Sequence, residues 1–234
     1  MTDLFAVSEA TWPAAARHKA GAFTVREGRG GGQRVSAATA GAAWTEADID
    51  AAEAKQAALG QPPLFMIRDG ETALDAALAA RGYRIKDPVN VYEAAVATLA
   101  SEPASPMAGF PIWPPLAIMR DIWAEGGIGP ERVAVMERAT GPKTAILGRV
   151  NDRASGAAFI AGHGDTAMLH ALHIVPDRRR QGSAVKMMRK AAHWAQDQGI
   201  TRFSVLVTAA NQPANALYAS LGMRIVGHYH YRSE

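Results

Sequence analysis

The stretch Arg178-Arg179-Arg180-Gln181-Gly182-Ser183-Ala184 places three guanidinium groups ahead of a glycine and two small residues. Guanidinium groups fork onto phosphate or carboxylate oxygens, and a glycine lets such an anion come close to the backbone. After it, Val185, Met188, Ala192 and Ala195 recur at spacings of three and four. That period predicts a helix from Gly182 to a stop at Gly199, entered from a strand that ends near Ile174. A helix start carries free N–H groups and about half a positive charge, which suits an anion. A solvated basic turn is the other reading of three consecutive arginines.

Histidines are the other reactive side chains with regular spacing. His170 and His173 lie on the strand before the arginines. Three positions apart on a regular strand, they are expected on opposite faces, which excludes a shared metal ion. His228 and His230 share a face, but two ligands without a third make no site. Gly28-Arg29-Gly30-Gly31-Gly32 falls between the strand patterns AFTVRE and QRVSAAT, so it reads as a hairpin turn and not as a nucleotide loop. The five tryptophans, Trp12, Trp44, Trp113, Trp123 and Trp194, read as core or interface residues.

The elements that must position these groups come in two similar runs. Leu64 to Ile85 aligns with Ser204 to Ile225 without a gap at an offset of 140, and each reads strand, polar turn, helix, glycine stop, strand. Thr45-Glu46-Ala47-Asp48 resembles a capping box opening a helix that stops by Gly60. Helices are expected in PLAIMRDIWAEGG, PERVAVMERA and PANALYASLG, and strands in KTAILGRV, GAAFIAGH, TAMLHALHIV, RFSVLVT and MRIVGHYHY. The proline-rich stretch Ser101 to Leu116 reads as a linker between halves of roughly a hundred residues each. The expected fold is α/β, a mixed sheet with covering helices in two related halves, divided as residues 1–105 and 106–234.

Composition narrows the function classes. The chain has 234 residues, 48% hydrophobic and 20% charged, within the range of a soluble globular protein. A formal charge of +3 permits an acidic small ligand and lacks the dense basic stripe of a nucleic-acid binder. The absence of cysteine excludes disulfides, thiolate catalysis and cysteine-ligated metals. Charge and proline arrive too early for a signal peptide, and no apolar run approaches the roughly 20 residues of a membrane span. A cytoplasmic protein, without membrane or nucleic-acid partner, is expected. An exposed strand edge or an apolar linker face would suit a homodimer.

The residues from Arg179 to Ala184 match the R/Q-x-x-G-x-G/A signature of the GNAT (GCN5-related) N-acetyltransferases. Asn211 to Met223 resembles the second signature of that family, N-x-x-A-x-x-L-Y-x-x-x-G-F, with methionine in place of the last aromatic. The resemblance covers Gly109 to Glu234 and implies an acyl-CoA N-acyltransferase fold with acetyl-CoA as cosubstrate and no metal. It implies that the pyrophosphate rests on backbone N–H groups from Arg180 through Gln181, Gly182 and Ser183 to Ala184, with Arg179 and Arg180 beside it. The pantetheine arm would pair with Leu172, His173 and Ile174 as an added strand, and Asn211 would contact the cofactor. A strand N–H near Leu172 to Ile174 would hold the acetyl oxygen as charge develops there.

Tyr218 matches the tyrosine that, in the family, protonates the departing thiolate; an unperturbed tyrosine, with a pKa of about 10, is protonated at neutral pH. A primary amine, with a pKa of about 10.4, must lose a proton before it attacks. Where many family members carry a strand carboxylate this chain has His170, the expected base, with His173 also on that strand. The expected activity is acetyl transfer to a small-molecule amine by direct attack in a ternary complex. The same residues also admit a protein acetyltransferase acting on lysine or an N-terminus, and a non-catalytic acyl-CoA-binding or sensing protein. At the 140 offset the Arg179–Ala184 signature, the expected phosphate cradle, falls on Thr39 to Trp44, which has no arginine, and Tyr218 falls on Leu78. Residues 1–105 are therefore expected to be a degenerate copy, stabilising the other half and walling its acceptor site.

Overall fold

A computed structural model describes residues 3–103 and 106–234. The expected boundary after residue 105 lies outside the described residues. In chain order the elements are α1 (Leu4–Thr11), β1 (Ala16–Ala20), β2 (Phe23–Glu27), β3 (Thr39–Ala40), α2 (Glu46–Ala58), β4 (Leu64–Arg68) and α3 (Thr72–Ala80). Then follow β5 (Arg84–Ala95), α4 (Val96–Leu99), β6 (Gly109–Ile112), α5 (Ala117–Glu125), α6 (Pro130–Arg138), β7 (Lys143–Val150) and β8 (Arg153–His163). The chain ends with β9 (Thr166–Ile174), α7 (Ser183–Asp197), β10 (Arg202–Thr208), α8 (Gln212–Ser220) and β11 (Arg224–Ser233).

These elements form two compact units, both discontinuous in sequence. The larger takes the chain up to Pro13, Tyr92–Leu206 and Gln212–Ile225; the smaller takes Ala14–Val91, Val207–Asn211 and Val226–Glu234.

In the larger unit the last residues of β5, from Tyr92, are followed across the sheet by β10-β9-β8-β7-β6. The β9–β10 pair is parallel, and β6 to β9 are joined antiparallel. One face lies under α7, whose Met187 meets Gly148 and Gly156. The alternate residues of β8, Ala157 and Phe159, point to the other face, where α1 and α5 pack. Helix α7 buries Ser183, Met187, Met188, Ala191, Ala192 and Ala195, while Val185, expected on that face, is only half-buried. Strand β6 forms inside the stretch expected to be a linker and pairs Gly109–Ile112 with β7.

In the smaller unit β1, β2 and β3 form an antiparallel sheet, and β4 pairs antiparallel with β11. Its core holds Phe23, Ile49, Phe65, Leu74, Leu78 and Tyr83, with Phe65 meeting Phe23 and Tyr83 edge-on at 5.6 and 5.4 Å. The hairpin expected around the glycine run lies elsewhere. Strands β1 and β2 turn at Gly21 and Ala22, with Ala20 opposite Phe23. Residues Gln33–Val35 form a short 3-10 turn, leaving β3 only two residues long.

The internal repeat is carried into three dimensions at the same offset of 140. Helices α3 and α8 both have nine residues, and Gly82 and Gly222 end them with φ of 92° and 79°. Tyr83 N–H donates to Leu78 O as Met223 N–H donates to Tyr218 O, at 3.0 and 3.1 Å. The chain is thus an α/β protein with a mixed sheet and two related halves.

Candidate active site

The half of β9 nearest the arginines departs from a regular strand. Phe159 of β8 stands opposite His170, and Ala157 stands opposite His173, so three steps on β9 match two on β8. The extra residue is absorbed at Ala171, whose φ is 52°. The Trp123 indole of α5 donates to Ala171 O at 2.9 Å and braces the bulge. Because Ala157 and Phe159 share a face, His170 and His173 share it too. This corrects the expectation that they oppose each other, which assumed unbroken alternation.

On its other side β9 pairs with β10 only as far as Leu169, opposite Val205. Residues Ala171 to Ile174 are half-buried and have no strand pairing on that edge among the described residues. A sheet edge of this kind accepts an extended molecule through its backbone groups.

His170 is buried. Its Nε2 lies 2.9 Å from Thr11 Oγ1, and its ring packs against Trp12 and Phe159, with centroids at 5.0 and 6.1 Å. His173 is half-buried against Gly126; a Cβ there would come within 2.4 Å of its Nδ1. The His173 Nε2 is buried and has no partner among the described residues. Burial, and then the Arg179 charge, hold the His173 imidazolium below its ordinary pKa. The ring is therefore neutral at pH 7.

After β9 the chain makes a short turn at Pro176–Arg178 and enters α7 through Gly182. Arg180 and Gly182 have φ of 61° and 75°. With these two left-handed residues, the backbone N–H groups from Arg180 to Ala184 have no acceptor among the described residues. A Cβ at Gly182 would meet nothing nearer than Lys186 Cε at 4.0 Å, so the glycine is demanded by φ and not by crowding. No acidic residue stands in the first turn of α7. Such a row of open N–H groups at a helix start is a candidate anion cradle made of main chain. The side chains play smaller parts. Ser183 turns inward, its hydroxyl 2.5 Å from that of Ser155. Gln181 donates to Asp177 O, and Arg179 Nε donates to Ile174 O, each at 3.1 Å. Arg180 is exposed.

Tyr218 lies on α8, 6% exposed, with its phenol pushed up to about 12 by burial. Its ring centroid is 5.7 Å from that of Tyr92, whose hydroxyl donates to Asn215 Oδ1. Asn211 is exposed at the turn before α8, its N–H bonded to Thr208 O, and belongs to the smaller unit. The cradle, the open edge of β9, both histidines and Tyr218 all belong to the larger unit.

Sequence reasoning missed Thr11, Trp12, Trp123 and Gly126. Asp3 ahead of an apolar run was a legible cap, and it does accept the Phe5 N–H at 2.9 Å. Nothing in the sequence tied that helix to a strand more than 150 residues away. Among the described residues no group of three or more His, Asp or Glu is placed to hold a metal, and no helix is long and apolar enough to cross a membrane.

Residues 117–223 match the Acetyltransferase (GNAT) family. The matched segment, somewhat under half of the chain, contains β9, the start of α7 and Tyr218. The chain is 32% identical over 59 residues to an aminoglycoside N(6')-acetyltransferase type 1 of Klebsiella aerogenes, a match covering 25% of this chain and 39% of that relative's length. A GCN5-related N-acetyltransferase from Kribbella flavida superposes with a TM-score of 0.73 at 14% identity, over 99% of this chain and 94% of the other. A tandem GNAT protein from the clavulanic acid biosynthesis pathway superposes with 0.60 at 12% identity, over 85% and 74%. At such identities the two structures establish the fold alone.

Proposed function

We propose that the protein is an acetyl-CoA-dependent N-acetyltransferase whose acceptor is a small-molecule amine, with residues 106–234 catalytic and residues 1–105 a degenerate copy. One observation carries this reading: the unengaged N–H row from Arg180 to Ala184 adjoins the end of the unpaired β9 edge. A pyrophosphate needs the first, and an extended amide-bearing arm needs the second. In this reading Arg179, Arg180 and Gln181 flank the phosphates, Gly182, Ser183 and Ala184 offer their N–H groups, and Leu172, His173 and Ile174 pair with the arm.

Tyr218 is the proposed acid. A phenol with a pKa of about 12 stays protonated across the whole physiological range, as a donor to a departing thiolate must. His170 is the proposed proton acceptor. With 5% of its surface exposed, it receives the proton through an intervening water or hydroxyl. A small amine is favoured because the relative of known activity acetylates an aminoglycoside.

Thermal unfolding with acetyl-CoA, CoA and dephospho-CoA tests the reading, followed by turnover on kanamycin, spermidine, tyramine and a lysine peptide. A ligand at a hundred times its dissociation constant stabilises by roughly 2.7 kcal/mol. The expected result is a shift with acetyl-CoA and CoA, and thiol release with one of the small amines. No shift with either would remove the foundation of the acetyltransferase reading. A shift without turnover on any amine would leave a binding protein.

A further inference from the structure

The N-terminal helix α1 belongs to the larger unit, and the chain that follows it is tied there by Arg138 Nε, which donates to Pro13 O at 3.2 Å. From the last turn of α1, Thr11 is fully buried and its Oγ1 has two neighbours. It donates to Val7 O at 2.7 Å, closing the helix on itself, and it lies 2.9 Å from His170 Nε2. A hydroxyl has one proton. Given to Val7, that proton cannot also go to the imidazole, so Nε2 must be the donor and Thr11 the acceptor. The neutral ring then carries its proton on Nε2 and its basic lone pair on Nδ1.

A half-turn of the ring would put Cε1 where Nε2 stands and lose the bond to Thr11; in the observed orientation the ring packs against both Trp12 and Phe159, whose own centroids are 6.2 Å apart. Trp12 follows Thr11 directly, so one short segment supplies both the hydroxyl that reads the ring and the indole that flanks it.

We infer that Thr11 is a positioning residue of the acyl-transfer site, fixing His170 as the Nε2–H tautomer so that Nδ1 is the nitrogen that accepts the proton. The inference rests on the reading of His170 as proton acceptor. It adds that a residue near the start of the chain sets which nitrogen works, as the partner of one imidazole nitrogen generally decides the role of the other.

The test combines a spectrum with kinetics on the full chain. Nitrogen-15 spectra of histidine-labelled protein, assigned by loss of the signal in His170→Gln, show which His170 nitrogen bears the proton. Wild type is expected to show it on Nε2. Thr11→Val, nearly the same shape without the oxygen, is expected to lose that pattern. Its kcat on the best amine of the panel above should fall roughly ten- to a hundredfold with KM for acetyl-CoA unchanged. Thr11→Ser should restore both. A wild-type proton on Nδ1 overturns the inference, and so does Thr11→Val with wild-type turnover. The failure of the underlying reading looks different: the proton sits on Nε2, yet His170→Gln turns over at the wild-type rate. Should Thr11→Val not fold, the wild-type spectrum and the serine variant still decide.

Discussion

Helices α2 and α7 each open onto an apolar strand system, each end at a glycine with positive φ, and differ in the first turn. Gly60 and Gly199 close them with φ of 67° and 72°. At the start of α2, Asp48 accepts the Thr45 N–H and hydroxyl at 2.8 and 2.7 Å, and its other oxygen accepts the Ala22 N–H at 3.0 Å. The Thr45 bonds, and then the Ala22 bond, hold the Asp48 carboxyl below its ordinary pKa. An acidic side chain already sits where an outside anion would bind. At the start of α7 there is no such side chain, and Gly182 keeps the N–H row open. One helix start is closed by its own carboxylate and the other keeps its N–H row open. The difference comes from a few residues, not from the fold.

The largest expected effect follows from giving α7 what α2 has. Gly182→Asp places a carboxylate at the cradle, on a backbone with φ of 75° that only glycine adopts freely. Binding of CoA and acetyl-CoA should weaken by about a hundredfold or more, erasing a stabilisation of roughly 2.7 kcal/mol at saturating ligand. The unfolding temperature without ligand should change little, because the N-terminal carboxylate offsets the strain. Isothermal titration and thermal unfolding read both quantities. Full CoA affinity in this variant would mean that the α2–α7 contrast has no bearing on binding.

The repeat gives a second contrast, at one position. Leu78 and Tyr218 occupy the same place in matching helices, and both are buried. Their common task is packing, so a hydroxyl at only one of them points to chemistry. Tyr218→Phe keeps the ring beside Tyr92 and should lower kcat roughly a hundredfold while leaving acetyl-CoA binding intact. Because the phenol lies near 12, its protonated fraction stays complete to about pH 10. The kcat profile of the wild type should therefore show no alkaline fall from this group below that pH. An alkaline limb near pH 9 that vanishes in Tyr218→Phe would contradict the assignment.

Much of this was legible in local pattern. The capping box at Thr45, the stops at Gly60 and Gly199, strand β10 and the 140-residue offset all rest on short-range rules that tertiary structure did not override. The strand, glycine turn and helix start that frame the proposed cradle were legible for the same reason, since they lie within a dozen residues. What escaped was non-local. The bulge at Ala171 carries no sequence mark, because alanine is a poor choice for positive φ, and an unbroken strand would put the two histidines on opposite faces. Strand β11 illustrates another limit: its first two residues belong to the larger unit and the rest to the smaller, where they pair with β4. Hydrophobic alternation shows that a strand exists, not which partner it takes.

A smaller effect tests the closed member of the first pair. Asp48→Ala removes the acceptor of the Thr45 and Ala22 N–H groups, leaving both without it at the start of α2. The unfolding temperature should fall by a few degrees. The loss should grow weaker in acid, since a carboxyl below its ordinary pKa contributes stability above that ordinary value and loses it as pH falls through the native one. Equal loss at pH 7 and pH 3 would mean that the carboxylate charge is not what closes the helix.

The smallest effect concerns the open member and reads its charge directly. His173 is held below the ordinary histidine value first by burial and then by Arg179, which itself bonds Ile174 O at the lip of the cradle. Arg179→Gln removes the second cause and keeps the first, so the His173 pKa should rise without reaching that of an exposed histidine. A bound pyrophosphate should move it in the same direction, because an anion in the cradle offsets the same positive charge. The sign carries over to stability. A histidine lowered in the native state binds fewer protons there than in the unfolded chain, so stability is lost as pH falls below about 6.5. Arg179→Gln should make that acid loss shallower. Proton titration of His173 with and without CoA separates the two causes. If CoA raises its pKa in the wild type and adds little in Arg179→Gln, the imidazole senses the cradle through Arg179. If CoA moves neither, the anion does not bind at the start of α7, and the two helix ends differ in capping alone.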